Sequence, residues 1–119
     1  MKFTMTELFN MKDGLQRLVQ KEIPIKTSFK LARFTKRVNE ELVILDQARV
    51  GLVERYGSKD ELTGQARVDE GNVKEFIKEL NEVLKIEVDI DFESIKIEEL
   101  GQVTLTAMDA IVFQKVIIE

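Results

Sequence analysis

Residues 59–70, KDELTGQARVDE, lie between two helical stretches and carry the acidic side chains and single glycine of a calcium-binding loop. Such a loop needs oxygen ligands at positions 1, 3, 5 and 12 and glycine at 6. With Gly64 at position 6, position 1 is Lys59, position 3 Glu61, position 5 Thr63 and position 12 Glu70. A fixed positive charge then stands where the first carboxylate belongs, so an ordinary turn held by polar residues is expected. Glu87, Asp89, Asp91 and Glu93 recur at two-residue spacing. Crowded carboxylates of that kind can hold a divalent cation or supply an acid–base pair, and a solvated strand face gives the same pattern. A third pattern is basic: Lys26, Lys30, Arg33 and Arg37 fall at steps of four, three and four, on one side of a helix.

Composition removes whole classes of chemistry. There is no cysteine and no histidine among the 119 residues, which excludes disulfides, thiolate zinc sites and the commonest general base. No Gly-rich phosphate loop and no nucleophile motif is present. No run approaches the roughly 18 apolar residues of a membrane span, so an intracellular, soluble chain with no cofactor is expected. Charge is unevenly placed. Residues 17–37 hold seven basic residues against Glu22, a net +6, while residues 69–119 hold 13 acidic and five basic, a net −8. A basic stripe could follow a phosphate backbone, but the opposed acidic half favours a protein partner over nucleic acid.

The elements that carry these residues follow from apolar spacing. Met5, Leu8, Phe9, Leu15, Leu18 and Val19 predict a helix over about residues 6–21, with Thr4 or Thr6 as cap and Gly14 marking a kink or a close helix contact. Pro24 ends that segment and opens the next. From Ile25 to Tyr56, Leu31, Phe34, Val38, Leu42, Leu45, Ala48, Leu52 and Tyr56 mark one continuous long helix, with Gly57 as its left-handed cap. Val43, Val50 and Val53 lie off that seam and give the helix more apolar surface than one neighbour covers. Val73, Phe76, Ile77, Leu80, Val83 and Leu84 predict a third helix, packed antiparallel on the second, with Asp69 as cap. Ile86, Val88, Ile90 and Phe92 alternate as a half-buried strand; its partner is Ile95–Ile97, Val103–Leu105, the 65–68 loop or the same strand of another subunit. TAMD at 106–109 has capping-box spacing ahead of a short last helix.

Residues 23–92, through IPIK, LARFTKRVNEEL, ERYGSKDE and VDEGNVKEFIKELNEVLKIEVDID, resemble a group of small proteins of uncharacterised function encoded by phages and prophages of Gram-positive bacteria. The later LTAMDA is similar to that group's closing helix start, whereas ELTGQARVDEGN departs from its more acidic, asparagine-rich loop. The resemblance implies a phage setting and a non-enzymatic part in virion assembly or in handling a host protein, in the host cytoplasm or within the virion. It supplies no site. The expectation is one mainly α domain spanning residues 1–119: a long antiparallel helical hairpin flanked by N- and C-terminal helices and a small β element. It would act as a homo-oligomerising, non-enzymatic protein-interaction module. Val43, Val50 and Val53 form its interface, and Lys26, Lys30, Arg33 and Arg37 orient the partner. The competing expectations are a regulator that binds a host protein or nucleic acid through the basic face, and a metal-dependent sensor or enzyme built on the acidic strand.

Overall fold

Thr4 starts the first helix through a reciprocal cap: its Oγ accepts from Glu7 N–H at 3.1 Å, and the Glu7 carboxylate accepts from Thr4 N–H at 3.0 Å. In the computed structural model, which describes residues 1–119, the chain is mainly α. Strand β1 (Lys2–Thr4) runs into α1 (Met5–Leu18), followed by α2 (Ile25–Tyr56), β2 (Gly57–Lys59) and β3 (Ala66–Val68). A 3-10 turn at Glu70–Asn72 leads to α3 (Val73–Leu84); β4 (Glu87–Asp89), β5 (Ile95–Lys96), a 3-10 turn at Ile97–Leu100, α4 (Ala107–Val112) and β6 (Ile117–Ile118) follow. At about 1.5 Å per residue α2 is roughly 48 Å long. It spans nearly the whole of a 52 × 28 × 24 Å molecule.

The core gathers at one end. Thr27, Leu31, Phe34, Val38, Glu41 and Leu45 are the buried positions of α2, and they face Met5, Leu8, Met11, Leu15 and Leu18 of α1. Ile90, Ile95, Leu100, Phe113 and Val116 of the C-terminal third close over them. Phe34 is the centre of an aromatic group, with ring centroids 5.6 Å from Phe3 and 4.4 Å from Phe92. Each fully buried ring contributes about 1.5–3 kcal/mol by leaving water. Gly14 marks a close contact: a Cβ there would stand 2.8 Å from the Phe113 ring and 3.2 Å from Asp109. That is the second of the two alternatives its place in the helix allowed.

Asp109 ties the same two helices electrostatically. Its Oδ1 accepts from the Arg17 guanidinium at 2.6 Å, and Thr106 Oγ accepts from Asp109 N–H at 3.0 Å, so the expected capping box at TAMD is present. Burial pushes the Asp109 carboxyl up, but the Arg17 and Thr106 hydrogen bonds outweigh it and hold it below its ordinary value. Glu7 is lowered in the same manner, its burial being outweighed by Lys115 and Thr4.

Three expectations are corrected. The strand at 87–89 pairs antiparallel with β1, Phe3 opposite Val88, rather than with any of the four segments considered for it. The N-terminus was free to reach it because α1 starts only at Met5, so Lys2–Thr4 has no helical bonds to lose. Gly57 is extended, at φ −132° and ψ −177°, not left-handed. Glycine is required there by proximity: a Cβ would lie 2.1 Å from Arg67 O and 2.6 Å from Val53 O, where β2 crosses β3. Asp69 makes no side-chain cap bond to the turn it precedes; its carboxylate accepts from Ser58 Oγ at 3.0 Å across the ribbon.

Candidate interaction surface

Buried positions 27, 31, 34, 38, 41 and 45 of α2 follow steps of four and three. A second series, Ile25, Phe29, Ala32, Lys36, Asn39, Val43, Asp46, Val50 and Val53, keeps the same alternation two residues out of phase. At about 100° per residue, two residues are roughly 200°, so the second series lies opposite the core. It has heptad spacing and meets its own chain only near Val19 at the end of α1, at the cleft edge beside Asp46 and at the ribbon end beside Val53. Ile25 is 72% exposed, Phe29 59%, Val43 57% and Val50 41%, while Val53 at the far end is half-buried. Halfway along, Ala32, Thr35, Lys36, Asn39, Glu40 and Val43 form a shallow depression with Val19 at the end of α1.

The expected interface residues therefore share one line: Val43 and Val50 in the open, Val53 where that line meets the ribbon end. Sequence reasoning missed Ile25, Phe29 and Asp46 on the same line. The signal was available, because Ile25 and Phe29 continue the Val43–Val50 spacing towards the N-terminus and Asp46 falls within it, but Ile25 and Phe29 stand in the first turns after Pro24, where a helix start hides the period.

The basic residues meet a different environment. Lys30, Arg33 and Arg37 line a cavity of about 410 Å³ with Phe34, Ile90, Asp91, Phe92 and Glu93, and Lys26 lies outside it. Arg37 also pairs with the buried Glu41 one turn on. Lys30 and Arg33 share the cavity wall with Asp91 and Glu93 without forming an ion pair. No group of three or more carboxylates comes together around a common point, on the 87–93 strand or elsewhere. In the loop, Asp60 accepts from Leu62 N–H at 2.8 Å and Gly64 N–H donates to Asp60 O at 2.8 Å, so the acidic side chain shapes a turn. Gly64 takes φ +72°, which the turn requires.

A second apolar surface was not foreseen. Phe9 of α1, Leu42 and Leu45 of α2 and Leu80 and Leu84 of α3 line a cleft of about 350 Å³, edged by Thr6, Lys12, Asp46 and Arg49. Thr6 Oγ donates to Leu84 O at 3.1 Å across its end, and Arg49 holds Asp46 at 3.0 Å along its side. Phe9, at 57% exposed, is its rim rather than its floor.

Compared with known proteins, the chain matches no family model, no curated protein and no solved structure. No helix is long and apolar enough to cross a membrane.

Proposed function

We propose that this chain is a non-enzymatic, self-associating protein-interaction module, with α2 and α3 as an antiparallel hairpin that projects from the core and α2 as the recognition helix. The observation that carries this reading is the line of large apolar side chains, Ile25, Phe29, Val43 and Val50, exposed on the side of α2 that faces away from the core. Large apolar side chains left exposed repeatedly along one helix face are costly in water and mark an interaction site. Burying it returns about 25 cal/mol per Å² before the costs of association. The phage setting implied by the resemblance belongs to the same proposal: a part in virion assembly, in the host cytoplasm or within the particle, with a phage or host protein as further partner.

Light scattering at two concentrations, in low and high salt, tests it. The wild-type chain is expected as a dimer or larger assembly whose mass holds in high salt, and the V43S/V50S/V53S variant as a folded monomer of unchanged helical content. A wild-type monomer at both concentrations would sink the self-association reading. An assembly untouched by the three serines would move the interface elsewhere, first to the cleft between α1, α2 and α3.

A further inference from the structure

Resting on the self-association reading, the geometry points to a specific arrangement: two copies of this chain pair antiparallel along the outer seam of α2, with Lys36 of each copy against the partner's Asp46. The seam is not uniformly apolar. It carries Lys36, Asn39 and Asp46 at three of its nine positions, all exposed, and polar residues in a heptad seam specify direction and register at some cost in stability. In a parallel pair each residue meets its own copy, so Lys36 would face Lys36 and Asp46 would face Asp46, both repulsive. An antiparallel pair with its two-fold axis beside residue 41 removes both clashes and makes two ion pairs, each Asp46 turning from its exposed Arg49 partner, or sharing it, to reach Lys36.

The seam between residues 29 and 53 fits that register, while Ile25 falls opposite position 57, beyond the end of the other α2. The axis that sets Lys36 against the partner's Asp46 also sets Phe29 against Val53, Ala32 against Val50 and Asn39 against Val43. A large ring thus meets a smaller β-branched side chain, and the smallest residue meets a valine, the alternation that lets facing layers interlock. The charge distribution along α2 agrees independently. Residues 25–37 hold Lys26, Lys30, Arg33, Lys36 and Arg37 with no acidic residue. Residues 38–56 hold Glu40, Glu41, Asp46 and Glu54 against Arg49 and Arg55. Antiparallel pairing lays the basic half of each helix along the acidic half of the other; parallel pairing superposes like on like. On the flank of the seam the reversal sets Lys26 against the partner's Glu54 and Arg33 against its neutral Gln47, while Glu40 comes near its own copy beside the axis.

Charge reversal and cysteine cross-linking together test this. K36D alone and D46K alone each place like charges across the seam and are expected to weaken the dimer about tenfold or more, while K36D/D46K restores it to within about threefold of wild type. Both positions are exposed, so the variants keep the fold. The chain has no cysteine of its own. On oxidation, a mixture of A32C and V50C chains is expected to cross-link as the mixed pair, and neither chain with itself. In the proposed dimer the two copies of residue 32 stand about 27 Å apart, at 1.5 Å per residue. Self-cross-linking of A32C, or a double charge variant no better than either single one, overturns the antiparallel register. If the wild type is still a dimer that V43S/V50S/V53S dissociates, the module reading survives that loss. A wild-type chain that stays monomeric overturns both.

Discussion

Residues 46–89 contain no fully buried side chain, whereas residues 1–45 and 90–119 contain all 19 of the molecule's buried residues. The two regions share one helix, since α2 enters the first region at Ile25 and leaves the second at Tyr56. They differ in what covers it. In the first region α1, the C-terminal segment and β1 close over the apolar side of α2 on several flanks. In the second only α3 and the β2–β3 ribbon do so, and Leu52, Tyr56, Phe76, Leu80 and Val83 stop at half-buried. Burial is thus concentrated at one end of the rod, and a substitution should report which end it touches.

The largest expected effect belongs to the core. Phe34→Ala removes a ring that packs on both Phe3 and Phe92 and should cost about 3–5 kcal/mol, read as a fall in the midpoint of denaturant unfolding. Phe76→Ala in the arm deletes the same ring from a half-buried site and should cost less than half as much. Equal losses would mean the arm is as tightly closed as the core. Next comes Gly14→Ala, which drives a methyl to 2.8 Å from the Phe113 ring and should cost about 1–3 kcal/mol by overpacking α1 against α4. A neutral result would show that α4, only six residues long, gives way.

Asp109 links the same helices and adds a pH dependence. Its folded carboxyl lies below its ordinary value of 3.8, so its contribution is fully present above about pH 4 and is lost as pH falls through the lowered folded value. Arg17 is more than half exposed, so water recovers much of what the pair gives. Asp109→Asn should therefore cost about 1 kcal/mol at neutral pH. Thermal unfolding followed from pH 7 down should show wild type and variant converging below about pH 4. A gap that persists at low pH would assign the loss to packing rather than charge.

How much of this was legible in the sequence depended on where each signal came from. Of the strand expected over 86–92 only Glu87–Asp89 forms, but the limits of α2 and the caps at Thr4 and Thr106 are local patterns, written in consecutive residues, and were readable. The pairing of β4 with β1 was not, because it joins residues more than 80 positions apart and three-residue strands carry no register signal of their own. Gly57 shows the same limit in small: a glycine after a long helix has two physical explanations, and only the position of the Arg67 carbonyl chooses between them. The basic stripe was correctly seen as one helix face, but the carboxylates of Asp91 and Glu93 arrive on it from the far end of the chain. Val43 and Val50 were legible as surplus because the helix could be drawn before its neighbours were known. The cleft lined by α1, α2 and α3 needed all three helices in place.

The smallest effect is the one that tests most directly whether the two regions open separately. Gly51 sits on the exposed side of α2 in the arm, with nothing within 4 Å of where a Cβ would be and a backbone that is ordinary helix. Gly51→Ala is thus the same change as Gly14→Ala with the opposite sign, stabilising the helix by roughly 0.5–1 kcal/mol because alanine loses less backbone freedom. If the arm opens on its own, that gain should appear only in amides of the arm, where hydrogen exchange slows by about two- to fivefold, while those of α1 keep their rates. Equal slowing in α1 would mean that the arm opens only when the core does. The half-buried contacts of α3 would then be part of one cooperative unit, and the division at residue 46 would be one of burial alone.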